Sequence, residues 1–97
     1  MSRRTLIAGN WKMHLVAAEA RALAKAVALA SNEFPGPDVA VFPAYTLLAA
    51  SRTAIKGTRV LLGAQACHEN AKGAHTGEVS AAMLVDAGCD AVLCGHS

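Results

Sequence analysis

The stretch Ala8-Gly9-Asn10-Trp11-Lys12-Met13 (AGNWKM) closes a short apolar run, Thr5 to Gly9, and sets an amide, an indole and an ammonium side by side. A surface turn is satisfied by Gly, Asn or Asp, and a buried strand has no use for a lysine. The plan returns at the other end of the chain. There Ala91-Val92-Leu93-Cys94-Gly95-His96-Ser97 runs apolar, breaks at glycine and hands over to polar side chains. What lies between these two runs decides the fold.

Outward from Lys12, the residues from about Leu15 to Ser31 change period. Val16, Ala20, Leu23, Val27 and Ala30 recur at helical spacing, while Glu19, Arg21 and Lys25 fall off that line. Asn32 to Asp38, with Pro35-Gly36-Pro37, reads as a loop. Val39 to Phe42 is a second strand, closed by Pro43. Thr46 is expected to cap a helix from Leu47 to about Ile55, which Lys56-Gly57 ends. Arg59 to Gln65 is a third strand, and a polar loop from Ala66 to Glu78 follows it. Ser80 caps a helix from Ala81 to Ala87, Gly88 terminates it, and Asp90 to Gly95 is the fourth strand.

The order is strand-helix-strand throughout, β1-α1-β2-α2-β3-α3-β4. Near-continuous apolar strands joined by helices predict an α/β fold, with a parallel sheet and right-handed crossovers. Residues 1–97 read as one unit without a linker or low-complexity segment. The chain ends two residues after its last strand and leaves that strand uncovered, so the expectation is a piece of a longer protein. The other reading is a small open α/β module that binds an anion or a partner and does no chemistry.

Composition narrows the function. Of the 97 residues, 54% are hydrophobic and 16% charged, enough apolar surface for a globular core. The net charge is +2, the basic residues are scattered and aromatics are few, which argues against nucleic acid. The run behind Arg3-Arg4 is too short for a secretory signal, and no stretch reaches the ~20 apolar residues of a membrane span. Cys67, Cys89 and Cys94 are odd in number and form no C-x-x-C pair. They read as packing thiols of a cytoplasmic protein, and Cys67-His68 with His75 matches no usual zinc spacing.

In parallel α/β sheets the reactive groups gather where the strands end, because all carboxyl ends share one face. That rule collects Asn10, Lys12, Gln65 and His96. An ammonium, an imidazole and two amides beside a glycine-eased backbone suit a small polar or anionic ligand. His14, His68 and His75 read as loop residues without partners, and Trp11 as a packing anchor beneath the first loop. The chain has no G-x-G-x-x-G after its first strand, no P-loop, no G-x-S-x-G elbow and no metal-binding helix motif.

Gly9-Asn10-Trp11-Lys12-Met13 closely resembles the N-terminal signature of the triosephosphate isomerase family. Gly63-Ala64-Gln65, Thr76-Gly77-Glu78-Val79-Ser80 and Gly95-His96-Ser97 resemble that family's later landmarks, in order and at its spacing. The resemblance implies a (β/α)8 barrel of about 250 residues, of which this chain supplies the part up to the fourth strand. It implies an isomerase that interconverts dihydroxyacetone phosphate and glyceraldehyde 3-phosphate in glycolysis and gluconeogenesis, without cofactor or metal. Lys12 would bind substrate and stabilise negative charge, and Asn10 would hydrogen-bond substrate. His96 would be the electrophile that polarises the carbonyl. The family is the type example of a neutral imidazole working with a glutamate base. A homodimer is implied through the loop 66–78, with Thr76 at its tip and Gln65, His75 and Glu78 as interface groups.

Three positions depart from the family pattern. His75 stands where phenylalanine is common, making the implied dimer contact more polar, and His14 and Ala66 each replace a common asparagine. The family's glutamate base, its lid and its later phosphate-binding loops correspond to sequence after Ser97. This segment alone is therefore expected to be inactive.

Overall fold

The computed structural model describes residues 3–95. Four parallel strands lie side by side in chain order: β1 (Leu6–Asn10), β2 (Asp38–Phe42), β3 (Leu61–Ala64) and β4 (Ala91–Val92). The helices α1 (Ala17–Glu33), α2 (Leu48–Ile55) and α3 (Ala81–Asp86) make the three crossovers. In β1 the register runs from Leu6 opposite Asp38 to Asn10 opposite Phe42. Asn10 is therefore the last residue of the strand rather than the first of the loop.

At the amino end of this pair Arg4 fixes the pairing. Its Nε and Nη2 each donate to a carboxylate oxygen of Asp38 at 2.9 Å, and Asp38 N donates to Thr5 O at 2.8 Å. The hydrogen bond from Arg4, with its charge behind it, holds the Asp38 carboxyl below the usual carboxylate range.

α1 forms where the periodicity places a helix, but it turns a different stripe inward. Ala20, Ala24, Ala28 and Ser31 are buried, at spacings of four, four and three. Of the expected line only Ala20 is buried; Val27 is half-buried, and Val16, Leu23 and Ala30 are exposed. Alanine lets the helix axis approach its neighbours closely, so the smallest side chains take the contact and the larger ones flank it. The helix starts at Ala17, with Glu19 Oε1 accepting from Val16 N at 3.1 Å.

Thr46 does not cap α2. It is exposed within a 3-10 turn, Tyr45–Leu47, where Leu47 N donates to Ala44 O at 2.9 Å, and α2 begins only after that turn. At the other end Gly57 takes φ +79°, the left-handed geometry expected of a residue just past a helix. Ser80 does cap α3, its Oγ accepting from Met83 N at 3.3 Å. Gly88 at φ +92° then lets Cys89 N reach back to Leu84 O at 2.9 Å.

β3 and β4 are shorter than the apolar runs that announce them. Arg59 lies outside the ladder, its Nη2 donating to Pro37 O, and Val60 N bonds the Thr58 hydroxyl instead. Asp90 ties the two strands where β4 starts: its backbone N donates to Leu62 O at 2.6 Å and its carboxylate accepts from Leu62 N at 3.0 Å.

The core sits between the sheet and the helices, on Val41, Leu48, Ile55, Val60, Leu62, Ala64 and Leu84 with the α1 alanines. Phe42 lies beside it and dictates its neighbour on β3. A Cβ at Gly63 would overlap the Phe42 ring, so only glycine fits there. β1 is the open side, with Leu6 and Ile7 each 55% exposed. Among the described residues no helix is long and apolar enough to cross a membrane.

Candidate functional site

The carboxyl end of β1 leads into a loop whose backbone is held by side chains. Asn10 Oδ1 accepts from Lys12 N at 2.9 Å, bridging two residues on as short amides do at turns. Lys12 itself sits at φ +54°, in the left-handed region that a non-glycine residue occupies only at a cost. Gln65, one residue past β3, reaches across with Nε2 to Lys12 O at 2.7 Å and to Phe42 O at 2.9 Å. The Phe42 carbonyl also accepts from Trp11 N at 3.1 Å. The Trp11 ring is half-buried against the core, with Gly9 beneath it. Ends of three neighbouring strands thus meet around one exposed lysine.

Of the four residues that the strand-end rule gathers, Asn10, Lys12 and Gln65 come together. His96 lies outside the described residues. The Phe42 carbonyl escapes any sequence reading, since a backbone acceptor carries no residue signature. The glycine at 63 is its one indirect trace.

The loop 66–78 is a second feature. His75, Thr76 and Glu78 are exposed on it. Gln65, expected at an interface with them, bonds to the Lys12 loop. His68 and His75 are not without partners: their rings stack with centroids 4.0 Å apart and planes at 25°. Asn70 joins them, its backbone N donating to His68 Nδ1 at 3.0 Å and its side-chain amide lying 3.0 Å from His75 Nε2. Gly73, at φ +148°, gives the His75 ring room that a Cβ would take. His68 N donates to Val79 O at 2.8 Å and closes the loop at its base, and Glu78 N donates to His75 O at 3.0 Å.

Tyr45 props the start of the loop, its hydroxyl donating to Ala66 O at 2.7 Å, and burial pushes its phenol above the ordinary range. The thiols differ in setting. Cys67 and Cys89 are half-buried, Cys94 is exposed, and burial raises the Cys89 thiol.

A parallel sheet in sequential order, with its polar groups gathered at the strand ends, defines the class: the leading part of a (β/α)8 barrel. The crystal structure of triosephosphate isomerase from Bartonella henselae superposes with a TM-score of 0.84 at 36% identity, covering 98% of this chain and 39% of that one. The family model described as triosephosphate isomerase matches residues 5–97, and the chain belongs to the triosephosphate isomerase family.

Among curated relatives, triosephosphate isomerase of Caulobacter vibrioides is 48% identical over 97 residues, covering 97% of this chain and 37% of its own length. That of Herpetosiphon aurantiacus is 46% identical over 95 residues, covering 98% of this chain and 38% of its own. The chain thus spans a little over a third of the length of the relatives it matches.

Proposed function

We propose that this chain supplies the electrophilic and charge-stabilising part of an isomerase that interconverts dihydroxyacetone phosphate and glyceraldehyde 3-phosphate through an enediolate. Residues 1–97 form the N-terminal part of a single barrel domain, acting in glycolysis and gluconeogenesis in the cytoplasm, with no cofactor, metal or nucleic acid. The observation that carries the reading is the Lys12 loop, pinned by Asn10 and Gln65 at the mouth of the sheet.

Proton abstraction beside a ketone places negative charge on its oxygen, so fixed donors and a cation there favour the transition state over the ketone. Lys12 provides the cation, for the phosphate and for the developing enediolate. Asn10 holds the loop and donates to substrate, and His96 donates to the carbonyl oxygen. The glutamate that removes the proton comes from later in the barrel, so residues 1–97 alone turn over no substrate. The loop 66–78 docks on a second subunit, with His75, Thr76 and Glu78 on its exposed face and Gln65 at its root.

The test assays residues 1–97 alone and joined to the downstream remainder of the Caulobacter vibrioides relative. Turnover by the joined protein, and none above buffer by the short chain, is expected. An inactive joined protein overturns the assignment, and an active short chain overturns the division of labour.

A further inference from the structure

We infer that Gln65 is a positioning residue for Lys12, acting through the backbone and never touching substrate; this rests on the proposed role of Lys12. Two facts require an agent of this kind. Lys12 at φ +54° is held in a conformation that residues other than glycine, asparagine and aspartate avoid, at a cost of about 1–2 kcal/mol. The residue is exposed, so packing does not impose that geometry. Something must hold the peptide units on either side of it.

On the amino side Asn10 Oδ1 takes the Lys12 N–H at 2.9 Å. On the carboxyl side the restraint is the Gln65 amide, at 2.7 Å from Lys12 O. The same NH2 group has two hydrogens and spends the other on Phe42 O, 2.9 Å away. Phe42 O is fixed within the sheet and already receives Trp11 N at 3.1 Å. The glutamine therefore couples the carbonyl of a strained loop residue to the hydrogen-bonded end of β2. Loss of this link frees the Lys12 carbonyl, relaxes φ and swings the side chain away from its working position. Asparagine, one methylene shorter, cannot span both carbonyls.

Gly63 is the second half of the device. It admits the Phe42 ring against β3, and with that ring seated the Phe42 carbonyl stands within reach of Gln65. The family resemblance groups Gln65 with the dimer interface; the hydrogen bonds give it a role at the lysine as well.

The experiment uses this chain joined to the downstream remainder of the Caulobacter vibrioides relative, with Lys12→Met, Gln65→Met and Gln65→Asn. Kinetics with dihydroxyacetone phosphate give kcat and KM, and inorganic phosphate serves as a competitive probe. Lys12→Met is expected to abolish turnover. Both Gln65 variants are expected to lower kcat/KM by roughly 10- to 100-fold, with KM and the phosphate inhibition constant raised together. A purely structural role would reduce the fraction of active enzyme and leave both constants unchanged. If Gln65→Asn and Gln65→Met keep KM and phosphate inhibition within twofold while Lys12→Met is dead, the inference falls and the function stands. If Lys12→Met keeps full activity, the functional reading falls and the inference with it.

Discussion

Lysine in left-handed geometry is a conflict between what the backbone prefers and what the site asks. Lys12→Gly is expected to raise the unfolding free energy by about 1 kcal/mol, offset in part by the freedom glycine gains when unfolded. The same change ends any binding of phosphate by residue 12, so denaturant unfolding and phosphate titration should move in opposite directions. Gly63→Ala is the reverse case: the new methyl meets the Phe42 ring, and a loss of ~1–3 kcal/mol is expected in urea melts. The thiols separate by exposure, and exposed Cys94 should react with iodoacetamide ahead of half-buried Cys89, whose thiol burial pushes up. Equal rates followed by mass spectrometry would contradict the packing described around Cys89. At this scale the sequence is readable where chemistry shows in a side chain, as at Asn10 and Lys12. It is silent where the partner is a carbonyl, as at Phe42.

Each helix and strand was legible from periodicity and punctuation, because glycines 57 and 88 and Ser80 act locally. The face of α1 was not. Alanine carries too little hydrophobicity to mark an inward stripe, and close approach decided it instead. The cap of α2 was misread because a 3-10 turn intervenes after Pro43. The pairing of His68 with His75 was hidden by the turn at Gly73 that folds one ring over the other.

Two outcomes belong to elements. Asn70 N donates to His68 Nδ1, so that nitrogen is the acceptor of the contact. Loss of that ring removes the acceptor and leaves the His75 ring, 4.0 Å away, unstacked. Amide exchange at Asn70 is therefore expected to quicken in His68→Ala at constant pH; unchanged exchange would count against the stack as a working contact. At the β1–β2 entry, Asp38 has a depressed carboxyl, held so first by its hydrogen bond from Arg4. Its contribution is present above the unfolded carboxylate range and is lost as pH falls through the lower folded value. Acid melts of Arg4→Gln should show less of that loss than the unsubstituted chain.

As a whole the molecule is an open slab, 45 × 38 × 25 Å, with a radius of gyration of 13.8 Å against about 13 Å for a compact chain of this size. Leu6 and Ile7 on β1, Leu29 on α1 and Phe34 just past α1 stand out from it. A bare parallel edge with apolar neighbours invites pairing. Light scattering of the 97-residue chain should rise with concentration, and Ile7→Lys should suppress the rise; a monomer at every concentration would speak against the exposed edge. The barrel class was legible because its landmarks are spread from end to end of the chain.

The sheet order carries one more consequence. Every strand pairs with the one immediately before it in the chain, so each pairing closes only a single crossover and pays little loop entropy. During synthesis, as residues leave the ribosome, each new strand finds its template already laid down, and the wall can rise from its first stave without waiting for any later one.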